Sequence, residues 1–493
     1  MTDSAGIPEQ AAPLFVEAPL LVEPVKKGQP MLAWLVIILL VSLIVMEANF
    51  RPSAEGGEEE DKLPLTLMQV QARFLVGIGE FAKDKQKEIV EQVKSLDQGS
   101  VGQRLRYAVL IGELEGPQKA LDQLTQLDEK VAEKNKALTP DESRTRKILG
   151  RLYEDYADGN WAGPAVDAGD REFLKNQFEW FGELALAPSH GSNKAEREEV
   201  MSLAFRTMVA FLGAIVFFGL VALAGLVGLI IFLVMMLAGS LEHLKSFSNH
   251  GGVYAETFAV WLVLFIGLRI VAGRLFGADE KLLMSGAVSL MSLLALSWPV
   301  LRGIPWKQVR EDIGLTWGRN PSLEPVIGLG AYVISIPLAG IGLVITLFLI
   351  QLVAEVEHAG QGNEFSPSSY PTHPIVQILA SGDWWVKFEA LLLASVVAPI
   401  VEEIMFRGVL YRHLREGTRR LGWVASAFVS AVGVSFIFAA IHPQGPLTVP
   451  ALMGLAFGFT LIREWRSTLI PSMIAHGINN GLVLLVTILA FGN

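Results

Sequence analysis

The chain has 493 residues, of which 51% are hydrophobic and only 18% charged, and its mean hydropathy is +0.42. A water-soluble chain of this length needs more charge, so the composition points to a polytopic membrane protein. The net charge of -10 lacks the basic excess that a nucleic-acid partner demands, and the absence of cysteine removes disulfides, thiol nucleophiles and thiolate metal sites together.

Residues 1–30 are rich in Pro, Ala and Glu and read as a disordered cytoplasmic tail. Lys26 and Lys27 then precede an apolar run from Met31 to Met46. A signal peptide would share this pattern, but the long preceding tail and the lack of an A-x-A site favour an uncleaved anchor over 31–48, its start held in the cytoplasm by the two lysines. Residues 49–206 interleave charged and apolar side chains at helical spacing, with Leu67, Val70, Phe74, Leu75 and Ile78 on one face. Gly116-Pro117 and Thr139-Pro140-Asp141 are helix stops and starts. This is a small helical domain with no clean repeat period.

From Met208 the chain turns into successive hydrophobic segments, each near the ~20 residues that cross a bilayer. They are read as Met208 to Ala238, Phe258 to Leu275, Leu282 to Leu301, Pro325 to Val353, Phe388 to Met405, Trp423 to Ile441, Leu447 to Ile462 and Leu469 to Leu489. If the anchor crosses outward, Arg302, Lys307, Arg310 and Arg319, then Arg412, Arg415, Arg419 and Arg420, then Arg463 and Arg466 all fall in inner loops. That bias agrees with the positive-inside rule and puts 49–206 outside the cytoplasm. The expected fold is therefore an all-α transmembrane bundle with an extracytoplasmic helical domain after an N-terminal anchor. Gly454 and Gly458 form a GxxxG that reads as close helix packing.

Ionisable groups stand out in the last third. Glu402 and Glu403 are adjacent in APIVEEIMFR, where charge is costly enough to signal function. Arg407 is i,i+4 from Glu403, so an ion pair on one helix face would leave Glu402 free as a general base. His442 closes FAAIH, and His476 with Asn480 one turn on puts two polar groups on one face of an apolar helix. Such groups could glue helices together or stabilise an oxyanion. Simple spans place Glu402 near the inner end of its helix and His442 at the far end of the next, about 10 Å apart in depth at ~1.5 Å per residue.

EEIMFR fits E-E-x-x-x-R, FAAIH fits F-x-x-x-H and HGINN fits H-x-x-x-N, in that order. Over 303–493, together with REDIGLTWGRN, the chain resembles the CPBP intramembrane endopeptidases, the family of CAAX-processing and bacteriocin-processing or immunity proteins. The transmembrane helices of 207–302 precede that core. The resemblance implies peptide-bond cleavage, with Glu402 activating water, His442 assisting, His476 and Asn480 binding the oxyanion, and Glu403 with Arg407 holding the geometry. Family members have been described as metallo- and as glutamic-type proteases. The lack of an HExxH helix favours the metal-free form here, while Glu402, His442 and His476 could serve as three zinc ligands. The expected partners are the lipid bilayer, in a bacterial inner membrane, and a membrane-associated protein or peptide substrate. The competing functions are a non-catalytic scaffold or immunity-type protein that binds a partner through 49–206, and, with no inverted repeat to support it, a proton-coupled transporter.

Overall fold

The computed structural model describes residues 28–50, 62–241 apart from 163, 165 and 192, 250–276, 281–359 and 383–491. The expected tail lies outside the described residues up to position 27. Every regular element among the described residues is helical. Helix α1 (Pro30–Phe50) is followed by α2 (Lys62–Phe81), α3 (Gln86–Val93), α4 (Val101–Glu115), α5 (Pro117–Glu133), α6 (Pro140–Ala157), α7 (Ala168–Phe178) and α8 (Trp180–Leu186).

Local chemistry sets the ends of these helices. Ser100 and Thr139 each close a capping box, with Gln103 and Glu142, which satisfies backbone N–H groups that the first turn leaves open. Gly116 takes φ +100 between α4 and α5, and Pro117 starts the next helix. The apolar faces meet in one core around Leu105, Leu149, Leu152, Trp180 and Phe181. Helix α9 (Lys194–Leu237) closes this domain through Val200 and Ala204 and then continues without a break into the apolar bundle. At ~1.5 Å per residue it is about 66 Å long. The boundary expected at 206 therefore falls inside a helix: polar Lys194–Glu199 and apolar Met208 onward share one continuous ladder.

The bundle continues with α10 (Val253–Leu275), α11 (Lys281–Ser292), α12 (Ser297–Leu301), α13 (Trp306–Ile313) and α14 (Glu324–Ala359), then α15 (residues 384–418), α16 (Trp423–Ala440), α17 (Val449–Arg466) and α18 (Ile470–Phe491). Among the described residues eight segments are long and apolar enough to cross a membrane, starting from Pro30–Glu47. Their outward faces are apolar, as at Ile215, Phe217 and Ile230 on α9 and Val344 and Phe348 on α14. Small residues bring the backbones together: a Cβ on Gly454 would lie 2.2 Å from the Leu338 carbonyl oxygen, and one on Gly458 would meet Ser335. The GxxxG thus packs α17 on α14, as expected.

The expected segment Phe388 to Met405 is not among the eight. It is the middle of α15, which runs on through Thr418 because the arginines beyond Met405 are paired inside the protein rather than released to water. Arg415 meets Glu464 at 2.9 Å, Arg466 meets Glu324 at 2.6 Å, and Arg412 lies between Asp312 at 3.6 Å and Glu416 at 3.4 Å. Asp312 also accepts from Tyr254 at 2.7 Å and contacts His250 at 3.1 Å. Gly314, at φ +78, ends α13 directly against the Arg463 guanidinium, where a Cβ would come within 2.4 Å of Cζ. This ionic layer joins α10, α13, α14, α15 and α17 at one end of the bundle.

Candidate active site

Asp383 caps α15, its carboxylate accepting from the Val386 N–H at 2.9 Å. Two π-helical segments, Leu393–Val397 and Glu403–Leu410, flank the α-helical turn Ala398–Glu402. Widened turns of this kind concentrate at functional sites because they re-aim side chains without ending a helix. Here they bracket the acidic pair.

The two acids have different surroundings. Glu403 is fully buried; Arg407 NH1 and His476 Nδ1 both lie 2.9 Å from its Oε1. The Glu402 side chain keeps 27% of its exposure, and its Oε2 lies 3.7 Å from His476 Nε2. Adjacent helical residues point about 100° apart, and the imidazole bridges that gap by offering a different nitrogen to each acid. The pair expected between Glu403 and Arg407 is thus present, and His476 joins it.

Arg407 is buried between aromatic faces. Its guanidinium carbon is 4.3 Å from the Phe438 ring centroid and 5.9 Å from that of Phe459, and NH2 approaches the Ala456 carbonyl at 3.5 Å. Ring faces attract a cation that has left water. Phe438 also packs against both histidines, with centroid distances of 4.3 Å to His442 and 5.8 Å to His476.

His442 follows α16 directly, its backbone N–H bonding the Ala439 carbonyl at 3.2 Å. Its Nδ1 is 2.7 Å from the Phe438 carbonyl oxygen. A carbonyl only accepts, so Nδ1 carries the proton and, in the neutral ring, Nε2 carries the lone pair. Glu402 stands near the middle of α15, and His442 packs on Phe438, whose ring also contacts Arg407 and His476.

Asn480 is one turn beyond His476 on α18, yet its Nδ2 donates to the Ala394 carbonyl at 2.9 Å, and its Oδ1 accepts from Asn479 Nδ2 at 3.1 Å. Its amide therefore faces the first π segment. Among the described residues no group of three or more His, Asp or Glu side chains could hold a metal ion. Glu402, His442 and His476, the three-ligand set considered for zinc, do not form such a group. Sequence reasoning did not single out Phe459 and Pro399. Phe459, at i,i+5 from Gly454 in the GxxxG helix, carried no separate signal, whereas Pro399 was visible in APIVEE as a helix residue without an N–H.

Residues 384–482 match the family of Rce1-like proteins, the type II CAAX prenyl endopeptidases. A curated relative, the membrane-embedded CAAX protease MroQ of Staphylococcus aureus (strain USA300), is 26% identical over 161 residues, covering 32% of this chain and 60% of that protein. The membrane core resembles the CPBP family. This chain thus spans about 60% of the length of that relative, and residues 28–383 lie outside the Rce1-like match. No solved structure matches the chain. The Rce1-like match runs from the start of α15 into α18, so it includes all six candidate residues: Glu402, Glu403, Arg407, His442, His476 and Asn480.

Proposed function

We propose that the chain is an integral membrane endopeptidase of the glutamic type, acting on a membrane-associated protein or peptide. The observation that carries this reading is the inequality of the two acids. Glu403 is committed to Arg407 and His476, while Glu402 keeps an accessible carboxylate beside His476 Nε2.

Glu402 takes a proton from water as the water oxygen attacks the scissile carbonyl carbon. The negative charge that forms on the carbonyl oxygen faces His476. Glu402 then returns its proton to the amine as the C–N bond breaks. His442, with Nε2 unprotonated, helps orient the water and relay that proton. Arg407 and Glu403 hold the His476 ring in place, and the desolvated cluster strengthens each of these interactions. No step runs through a metal. The positive-inside bias of the arginine-rich segments supports a cytoplasmic N-terminus and inner loops in a bacterial cell, with residues 62–204 outside.

The test is cleavage of an internally quenched, farnesylated CaaX peptide by the purified chain in detergent. Glu402→Gln lowers the rate about 10³-fold, as expected for a lost general base, with an unchanged melting temperature. A variant that folds and cleaves like the wild type would falsify the assignment. Saturating 1,10-phenanthroline leaves the rate unchanged, and strong inhibition reversed by zinc would overturn the metal-free mechanism.

A further inference from the structure

Pro399 lies three residues before Glu402 and has no backbone N–H to give. In the first π segment hydrogen bonds reach back five residues, as the Ala398 N–H does to the Leu393 carbonyl. Residue 399 would next serve the Ala394 carbonyl in the π register, or that of Ser395 in the α register. Proline serves neither. A buried carbonyl without a donor is costly, so whichever of these two oxygens is left open needs a partner from elsewhere.

Helix α18 covers both. Asn480 Nδ2 donates to the Ala394 carbonyl at 2.9 Å. Gly477 lies over the Ser395 carbonyl, where a Cβ would come within 2.5 Å of the oxygen, so only glycine lets the two backbones approach this closely. The orientation of the Asn480 amide follows from its neighbours, because the Ala394 carbonyl accepts only and Asn479 Nδ2 donates to Oδ1 at 3.1 Å.

We propose that Asn480 is a positioning residue. Its amide completes the turn that Pro399 leaves open and so fixes the stretch of α15 that presents Glu402 to His476. An oxyanion donor would instead aim this amide at the substrate. The contact stands on geometry alone, and its effect on turnover rests on the reading of Glu402 as the base.

A double-mutant cycle on the full chain in detergent separates the two roles. Asn480→Ala lowers the melting temperature by about 2–4 °C, the loss of one buried hydrogen bond. In a Pro399→Ala background a new N–H is available to the open turn, and the same substitution costs less than half as much. Asn480→Asp, which sets a carboxylate against the Ala394 carbonyl, lowers the melting temperature further than Asn480→Ala. On the quenched farnesylated peptide, Asn480→Ala reduces kcat about 10-fold, as loss of a single contact does, with KM within twofold. Pro399→Ala recovers part of that loss. Equal melting losses in both backgrounds would remove the contact with the open turn. An unchanged melting temperature with a kcat loss of about 10²–10³ that Pro399→Ala leaves untouched would make Asn480 an oxyanion donor. The melting cycle is independent of the peptide and of Glu402, so failure of the proposed chemistry and failure of this contact are read separately.

Discussion

Arginine stands in contrasting settings in the two halves of the molecule. In the domain formed by residues 62–204, Arg144 and Arg151 grip Asp170 at the edge of the apolar core with about half of each side chain in solvent, at 49% and 48% exposure. In the bundle arginine is the core. Arg407, Arg412 and Arg463 are each 1% exposed, while Phe217, Ile230 and Phe348 face outward. A membrane reverses the advantage that water gives to burying apolar groups, so specificity between helices comes from close packing and polar contacts. An arginine pair half in solvent is therefore worth little and a buried one a great deal.

Glu464 offers the strongest way to break that contrast. It accepts from Arg415 at 2.9 and 3.1 Å, Tyr411 at 2.7 Å and Trp423 at 2.9 Å. Glu464→Ala removes the carboxylate that all three partners share and costs about 3–5 kcal/mol, the range for breaking a buried ion pair. Reversible unfolding in mixed micelles measures it. A loss within ~1 kcal/mol, typical of a surface pair, would mean that water reaches this layer and the contrast is false.

Arg407 sharpens the comparison at the site. Arg407→Ala leaves the Glu403 carboxylate buried without its guanidinium partner and costs about 3 kcal/mol, with loss of peptide cleavage. Arg407→Lys keeps the charge but loses the planar contact with Phe438 and Phe459, so it restores folding only in part. Full recovery of stability and rate by lysine would show that charge alone matters there.

The same contrast explains what could be read from the sequence. The Glu403–Arg407 pair follows from i,i+4 spacing, and the helix starts at Ser100 and Thr139 follow from local chemistry; both depend on neighbours a turn apart. Depth did not follow. Arg412, Arg415, Arg463 and Arg466 read as loop charges because their partners, Asp312, Glu464 and Glu324, come from other helices. Hydropathy accordingly ended the Glu402 helix at Met405, about three turns too early. The π segments were hidden for a related reason: residue periodicity registers the mean turn, and a single widened turn shifts it too little to see. Only Pro399 marked the place, and its meaning depended on Asn480, 81 positions later.

The smallest expected effect lies in the outer domain. Hydrogen bonds from Arg144 and then Arg151 hold the Asp170 carboxyl below its usual range, with burial opposing them. Its folded pKa is therefore lower than its unfolded value, near ~3.9. The stabilisation is complete above that unfolded value and is lost as pH falls through the folded one. Both arginines are half-exposed, so screening limits their joint contribution to about 1 kcal/mol. Arg144→Ala with Arg151→Ala removes it at neutral pH and leaves little further loss on acidification, whereas the wild type loses it only below about pH 4. Amide hydrogen exchange in α6 and α7 of the full chain, corrected for intrinsic rates, reads both. An acid response of the double variant equal to that of the wild type would move the acid-sensitive group away from Asp170. A penalty of several kcal/mol would show instead that this outer pair behaves like the buried ones.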